Sequence, residues 1–129
     1  MPRLIGSCPH FYVSDIHAAL DHYCDVLGFR RPRIWGEPPC FAMPDRDGFI
    51  VMLSHSDEHP PAPNGAHAAW DAYFWCTGVD ALHEEFVARG ANIAYEPTDQ
   101  ESYGIREMAV RDLDGHLLAF GEELESARG

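Results

Sequence analysis

Two residues near the start of the chain place a thiol beside an imidazole. Cys8 and His10 lie two positions apart in a β-rich segment, so both side chains point to the same face of a strand. Activation of a thiol by a histidine needs a contact of about 2.6–3.2 Å, and strand neighbours two positions apart are held too loosely for that. The pair therefore predicts a structural thiol beside a ring rather than a nucleophile.

A second pair, His55 and His59, occurs in the stretch HSDEH, directly before PPAP. A spacing of four would align two imidazoles on a helix and could suit a metal ion. A helix cannot continue through these prolines, so the alignment is lost. The two residues are interpreted as solvated loop histidines.

The composition indicates one soluble domain, because 129 residues with 46% apolar residues suffice for one core. No apolar run approaches the length of about 20 residues that a membrane helix needs, and the first residues lack a secretory pattern. The cytoplasm is the predicted location. The cysteines are scattered, which favours free thiols in a reducing compartment; they are Cys8, Cys24, Cys40 and Cys76.

The net charge is −12, from 9 basic and 21 acidic residues. Such a surface repels nucleic acid and anionic membranes, so neither is a predicted partner. It would attract a cationic ligand. The same acidity could also serve solubility alone.

Two similar hairpin sequences occur in the chain, DRDGFIVML from Asp45 and DLDGHLLAF from Asp112, 67 residues apart (112 − 45). Each contains Asp-Gly, the strongest short signal for a tight hairpin turn. Internal similarity at such a period usually means that neither copy can bury its sheet face alone.

A helical pattern precedes each hairpin. Apolar residues recur at helical spacing between Ser14, a predicted N-cap, and Gly28, a predicted stop. Asp80 is predicted to cap the second helix, and Gly90 is its predicted stop. With the short strand candidates around them, both halves fit a β-α-β-β-β unit.

These patterns predict a single domain over residues 1–129. It contains a first module at 1–55, an exposed proline-rich connector at 56–69, a second module at 70–122 and a C-terminal tail at 123–129.

The order of elements and three stretches of sequence resemble the vicinal-oxygen-chelate superfamily. The stretches are VSDIHAALDHYCDVLGF, GVDALHEEFVARGANI and YGIREMAVRDLDGHLLAFG. This superfamily includes glyoxalase I, extradiol dioxygenases, fosfomycin-resistance enzymes and bleomycin-resistance proteins, and the likeness covers about Leu4 to Glu122. It implies an α+β fold in which two tandem βαβββ modules form a curved mixed sheet of half-barrels, with the helices on the convex face.

Strand alternation separates an apolar face from a mixed face. The apolar face is predicted to pack on the helices; it carries Phe11, Val13, Val51, Leu53, Phe74, Cys76, Leu118 and Phe120. The mixed face is predicted to line a ligand cup; it carries Cys8, His10, Tyr12, Met52, Asp71, Tyr73 and Trp75, and hairpin pairing adds Phe41, Met43, Arg106 and Met108. The methionines could instead be ordinary gap-fillers.

Metal-dependent members of the superfamily carry their ligands on the concave face. The resemblance assigns those positions here to Cys8, Met52, Asp71 and Ala119. A hard divalent ion prefers oxygen, alone or with imidazole nitrogen, and Ala119 offers no donor. No metal and no cofactor are therefore predicted, although His10 could be recruited to a divergent site.

The resemblance is nearest in character to the bleomycin-resistance branch, which implies a metal-free homodimer that sequesters a cationic or aromatic small molecule in a cleft at the dimer interface. Tyr12, Trp35, Phe41, Tyr73 and Trp75 are expected to stack on the ligand. Asp71 is expected to pair with a ligand amine, and Tyr103 and Arg106 to close over it. Alternatives are a lyase, isomerase or dioxygenase with a divergent metal site or no metal, and a domain that only dimerises or regulates. Whether the modules pair within a chain or across a dimer stays open.

Overall fold

The computed structural model describes residues 1–125, and the chain has the predicted α+β fold. The first module contains a helix extended by a π-helical turn and a set of short strands. These elements are β1 (His10–Tyr12), α1 (Ile16–Asp21), the π-helical turn (His22–Val26), β2 (Ile34–Trp35), β3 (Phe41–Ala42), β4 (Asp45–Arg46), β5 (Phe49–Ile50) and β6 (Met52–Ser54).

The second module has longer strands. It consists of β7 (Ala72–Trp75), α2 (Val79–Ala88), β8 (Asn92–Gln100), β9 (Ile105–Arg111) and β10 (Leu117–Glu123). The module boundaries 1–55, 56–69 and 70–122 stay predictions. The predicted tail, 123–129, begins in β10, and its residues 126–129 lie outside the described residues.

Each module forms its own four-stranded mixed sheet, with strand orders β1-β6-β3-β2 and β7-β10-β9-β8. In both sheets the first strand of the module pairs in parallel with the last, so that His10 lies opposite Met52 and Tyr73 lies opposite Ala119. The sheets are curved and do not close into a barrel. The two halves of the chain therefore repeat one topology, as the two hairpin sequences predict.

The predicted apolar face is confirmed, because its residues belong to one hydrophobic core that both modules share. Leu53 and Leu118, from the two sheets, have no exposed surface. The helices contribute Leu20, Tyr23 and Phe86, which are equally buried. Burying a side chain such as Leu53 contributes about 1.5–3 kcal/mol.

The start of α1 differs by one residue from the prediction. Asp15, not Ser14, is the N-cap, and its carboxylate accepts a hydrogen bond from the N–H of Ala18 at 3.0 Å. Ser14 instead donates through its hydroxyl to Asp114 at 2.7 Å and so joins the first module to the second. Both residue types can cap a helix, and here the tertiary contact takes the serine.

The start of α2 also differs from the prediction. The helix follows Gly78, and Asp80 lies in its first turn rather than at the cap. The carboxylate of Glu122, from β10, accepts hydrogen bonds from the N–H groups of Gly78 and Val79 at 3.0 Å each. A side chain distant in sequence therefore satisfies the free N–H groups of the first turn.

The two repeated hairpins differ by one residue in their loops. In the first hairpin Arg46 pairs with Phe49 across a two-residue loop, and both loop residues have positive φ, as type I′ turns require. In the second hairpin the N–H of Asp112 donates to the carbonyl of His116 at 3.0 Å, which leaves residues 113–115 in the loop. One extra residue reverses which side chains of β9 point to the concave face.

This reversal corrects two predicted site residues. Met108 pairs with Phe120 on the helix-facing side and has no exposed surface, so its assignment to the cup is wrong. Arg106 also faces the helix side, where its guanidinium contacts Asp80 at 3.0 Å and Asp99 at 2.9 Å. It therefore cannot close over a ligand on the concave face, as the sequence interpretation expected.

The predicted connector contains one regular element, a single 3-10 turn at Asn64–His67. The carboxylate of Asp71 accepts hydrogen bonds from the N–H groups of Asn64 and Gly65 at the start of this turn. The prolines before it lie in irregular chain. Within residues 1–125, none of the helices has the length and apolar character needed to cross a membrane.

Candidate functional site

Three aromatic side chains form a continuous row on the concave side of the second sheet, and we call Trp70, Tyr73 and Trp75 the aromatic wall. The ring centroids of Trp70 and Tyr73 lie 4.7 Å apart, and those of Tyr73 and Trp75 lie 5.0 Å apart. Trp70 is 43% exposed and Trp75 is 71% exposed. Exposed aromatic surface of this kind usually marks a binding site.

A buried carboxylate lies beneath this wall. Glu107 of β9 pairs with Gly121 of β10, which directs its side chain to the concave side, and it is only 2% exposed. It accepts three tyrosine hydroxyl hydrogen bonds, from Tyr73 at 2.9 Å, Tyr103 at 2.9 Å and Tyr95 at 2.6 Å. Hydrogen bonds to an ionised carboxylate are the strong ones. We call these four residues the tyrosine–carboxylate cluster.

The protonation of the three tyrosines follows from their surroundings. Burial and the hydrogen bond to Glu107 raise the pKa of Tyr73 and of Tyr95 well above the ordinary value for tyrosine. The pKa of Tyr103 is raised for the same reasons. All three hydroxyls therefore keep their protons at neutral pH and direct them at the carboxylate.

A glycine makes room for this arrangement. A Cβ atom at Gly121 would overlap the hydroxyl oxygen of Tyr73 and press on the side chain of Ile105. Beside it, Ala109 and Ala119 present only methyl groups to the tyrosine rings. Small residues on β9 and β10 thus allow the ring of Tyr73 to lie close to the sheet, where its hydroxyl reaches Glu107.

The concave side of the first sheet carries a second set of polar and aromatic side chains. His10 shares a hydrogen bond with the hydroxyl of Ser54 at 2.7 Å and meets the ring of Tyr12 edge-on at 5.0 Å. The rings of Trp35 and Phe41 lie 5.7 Å apart. Met43 and Met52 of the same module are half-buried.

Six of the predicted ligand residues line two separate cavities of one chain, whereas five others line neither of these cavities: Trp35, Phe41, Met43, Met52 and Tyr103. A cavity of about 1380 Å³ opens between β7, residues 5–9 and the loop at residues 46–50, and Cys8, Tyr73 and Trp75 line it. A smaller cavity of about 310 Å³ is lined by His10 and Tyr12 together with Asp71, His116 and residues of the connector. Binding of a ligand by any of these residues stays a prediction.

The four positions that the resemblance assigned to metal ligands do not fit a divalent ion. Cys8 and Asp71 line different cavities, and Met52 and Ala119 belong to different sheets. Ala119 has no donor atom and no exposed surface. Within residues 1–125, no group of three or more His, Cys, Asp and Glu side chains is arranged to hold a metal ion.

Asp71 has a structural role instead. Its carboxylate accepts backbone hydrogen bonds from Asn64 at 2.7 Å, Gly65 at 3.0 Å and Leu117 at 2.8 Å. Both oxygens are therefore engaged in joining the 3-10 turn to β10. The expected pairing of Asp71 with a ligand amine does not agree with this geometry, and Glu107 is the carboxylate that lies beneath the aromatic wall.

A second buried polar network joins the two modules. Asp112 accepts hydrogen bonds from the hydroxyl of Tyr23 at 2.7 Å and from the backbone N–H of His116 at 2.9 Å, and it contacts the ring of His116 at 2.8 Å. The ring of Phe11 stacks on His116 at 4.3 Å. Burial alone would raise the pKa of Asp112, but the contacts with His116 and Tyr23 outweigh it and hold the pKa below its usual value.

Sequence reasoning missed three residues of this site: Trp70, Tyr95 and Glu107. Glu107 was missed because the two-residue loop assumed for the second hairpin points it to the wrong face. The shared Asp-X-Asp-Gly motif does not separate the two loops; in the structure, the carboxylate of Asp112 accepts hydrogen bonds from the N–H groups of Asp114 and His116 within its own loop. Side chains of this type favour loops that bring such N–H groups to them.

Comparison with known proteins places these features in context. The sequence profile of the Glyoxalase/Bleomycin resistance protein/Dioxygenase superfamily matches residues 7–120. The crystal structure of TioX from Micromonospora sp. ML1 is 31% identical over 92% of this chain and 100% of that chain, with a TM-score of 0.69. A search of curated proteins finds no match.

Two further solved structures have the same fold. The bleomycin-binding protein from bleomycin-producing Streptomyces verticillus, complexed with copper(II)-bleomycin, is 27% identical over 93% of this chain and 97% of that chain, with a TM-score of 0.70. TnmS3, an antibiotic binding protein from Streptomyces sp. CB03234, is 20% identical over 95% of this chain and 99% of that chain, with a TM-score of 0.68. At that identity the likeness to TnmS3 concerns the fold alone.

Proposed function

The chain belongs to the glyoxalase/bleomycin resistance protein/dioxygenase superfamily, and on this basis we propose that it is a metal-free protein that binds and sequesters a cationic or aromatic small molecule. The aromatic wall above the buried carboxylate of Glu107 carries this proposal. Flat aromatic faces attract cations by about 0.5–2 kcal/mol per contact. The net charge of −12 favours the approach of the same class of ligand.

The relatives support a binding role. The protein from Streptomyces verticillus was solved with copper(II)-bleomycin bound, and it shares 27% of its residues with this chain. We infer that the ligand here is also a bulky molecule with flat or cationic groups, such as an antibiotic. The positions that would hold a catalytic metal lack a suitable donor set, which favours sequestration over turnover.

We further propose that the binding form is a homodimer. One chain offers two separate concave surfaces, that of the first sheet around Tyr12 and the aromatic wall of the second. Leu4 and Ile5 lie almost fully exposed before β1, and β7 is an edge strand of its sheet. Apolar chain and open strand edges of this kind favour association, which would place the surfaces of two chains around one ligand.

The free cysteines agree with a cytoplasmic location.

Tryptophan fluorescence tests the binding proposal, because Trp70 and Trp75 lie on the proposed surface. Titration with copper(II)-bleomycin and with flat aromatic cations is expected to quench the emission. Trp75→Ala should weaken binding while leaving the unfolding midpoint nearly unchanged, since this side chain is mostly exposed. Leu113→Ala removes a similarly exposed apolar side chain from the hairpin loop and serves as the control.

Two outcomes would contradict the proposal. The first is that no ligand of this class quenches the tryptophan fluorescence or gives a heat of binding in calorimetry. The second is conversion of the ligand, read by mass spectrometry after incubation, which would instead favour an enzyme. Sedimentation with and without ligand tests the dimer, and a monomer in both conditions would contradict that part alone.

A further inference from the structure

We propose that Glu107 determines the specificity of this surface: by accepting a hydrogen bond from each of the three tyrosine hydroxyls, it leaves those hydroxyls only as acceptors and so selects cationic ligands that present N–H donors. This inference rests on the proposed binding function and narrows its ligand class from cationic or aromatic to cationic with free N–H groups. The residue acts through the tyrosines, which would touch the ligand.

The hydrogen bonds of the cluster all run from the tyrosines to Glu107. A tyrosine hydroxyl has one proton to donate and can also accept. The hydroxyls of Tyr73 and Tyr103 both donate to Oε1 of Glu107, and that of Tyr95 donates to Oε2. Each of the three has therefore used its only proton. None of them can donate a further hydrogen bond to a ligand.

The three hydroxyl oxygens differ in the hydrogen bonds that they already accept. The oxygen of Tyr95 receives a hydrogen bond from the indole N–H of Trp70 at 3.1 Å. Among residues 1–125, no group donates to the oxygens of Tyr73 and Tyr103. Tyr103 is half exposed, and Tyr73 lies between the two exposed tryptophans. Tyr73 of the aromatic wall and the neighbouring Tyr103 therefore keep acceptor capacity that no described residue uses.

The surroundings of Glu107 also bear on the charge of the ligand. No positively charged side chain of the described part of the chain bonds to Glu107. Its neighbour on β9, Arg106, points to the opposite face and is engaged by Asp80 and Asp99. A carboxylate buried with only neutral donors is less screened than a surface charge, so it favours a cation on the wall above it.

A purely structural function of the cluster would give a different outcome. If Glu107 only held the tyrosine rings in place, its loss would weaken the binding of all flat ligands by the same factor. If it sets the direction of the hydroxyls, its loss changes the order in which ligands are preferred. The ratio between matched ligands therefore separates the two functions.

Three probes with one acridine ring system provide this ratio. 9-Aminoacridine is a cation with N–H donors, 10-methylacridinium is a cation without them, and acridine-9-carboxylate is an anion. Isothermal titration calorimetry with the full-length protein should rank them in that order. We expect about tenfold between the first two, the value of one net hydrogen bond.

Glu107→Gln is the main variant, because the amide has nearly the same size, carries no charge and can itself donate to a tyrosine oxygen. We expect this variant to bind 9-aminoacridine about tenfold more weakly than the wild type does. Most of the difference in affinity between 9-aminoacridine and 10-methylacridinium should then be lost. Glu84→Gln makes the same change at an exposed position of α2 and should alter neither value. Tyr103→Phe removes one acceptor at a half-exposed position without a change in charge, and it should reduce the same ratio even if Glu107→Gln fails to fold.

The outcomes separate this inference from the proposed function. If the wild-type protein binds 10-methylacridinium as tightly as 9-aminoacridine, or if both variants keep the wild-type ratio, the inference is overturned while cation binding stands. If the wild-type protein binds none of the three probes and no bleomycin, the proposed function and the inference fail together.

Discussion

Removal of one hydroxyl from the network between the modules gives the most direct test of how the two halves are held together. Tyr23 has no exposed surface, and its hydroxyl donates to Asp112 of the second module at 2.7 Å. Tyr23→Phe keeps the ring in the core and deletes only this contact. A hydrogen bond to a charged group is worth about 1.5–3 kcal/mol in a folded protein, so a loss of this size is expected.

The loss translates into a measurable shift in melting temperature. Unfolding entropies of about 2.1 cal/mol/K per residue give about 0.27 kcal/mol/K for 129 residues. A loss of about 1.5–3 kcal/mol then lowers the midpoint by about 6–11 °C. Differential scanning calorimetry and urea titration measure the two quantities independently. Tyr12→Phe serves as the control, because within residues 1–125 the hydroxyl of Tyr12 makes no hydrogen bond.

The pH dependence gives a second readout with a definite sign. The pKa of Asp112 is below its usual value in the folded protein, so the contribution of the carboxylate is complete at neutral pH. It is lost as the pH falls through the folded pKa, where the carboxylate takes up a proton. The difference between wild type and Tyr23→Phe should therefore shrink on acidification, over the range in which both remain folded.

Two results would refute this reasoning about the network. One is a stability of Tyr23→Phe within about 0.5 kcal/mol of the wild type, the usual range for surface changes. The other is a stability difference that stays constant as the pH is lowered into the acidic range. Either result would mean that Asp112 gains little from Tyr23 and that the modules are joined by their shared apolar core.

Two further predictions concern the concave side of the second sheet. Gly121→Ala should displace the ring of Tyr73, lower stability by about 1–3 kcal/mol and weaken the binding of flat cations; unchanged urea midpoints and calorimetric affinities would contradict the close approach. Asp71→Ala should leave the N–H groups of Asn64, Gly65 and Leu117 without their acceptor and lower the free energy of unfolding by about 1–3 kcal/mol. The content of divalent metal, measured by elemental analysis, should be the same in the wild type and in the variant. A divalent ion bound by the wild type and lost in the variant would instead identify Asp71 as a ligand.

The repeated topology and the two faces of β1, β6, β7 and β10 follow from the local sequence. Both depend on local properties, namely the alternation of side chains along a strand and the turn chemistry of Asp-Gly. The register of His10 with Met52 and of Tyr73 with Ala119 confirms the alignment of the two halves. The apolar residues Leu53 and Leu118 lie in the core for the same local reason.

The register of the second hairpin was decided by tertiary contacts. Both hairpins begin with Asp-X-Asp-Gly, yet the loops contain two and three residues. Asp45 is bound by the guanidinium of Arg30 at 2.9 Å, whereas Asp112 is buried beside His116 and bonds to N–H groups of its own loop. The shared Asp-X-Asp-Gly motif is therefore compatible with two registers, and the predicted positions of Arg106 and Met108 were wrong as a result.

The character of the site was likewise a tertiary outcome. The hydroxyls that reach Glu107 come from residues 34, 12 and 4 positions away in the chain, and the carboxylate of Asp71 is used by backbone groups of two other segments. A sequence pattern shows which side chains share a strand face. It does not show which partner each polar group finds when distant segments meet, because that choice depends on the packing of the whole sheet.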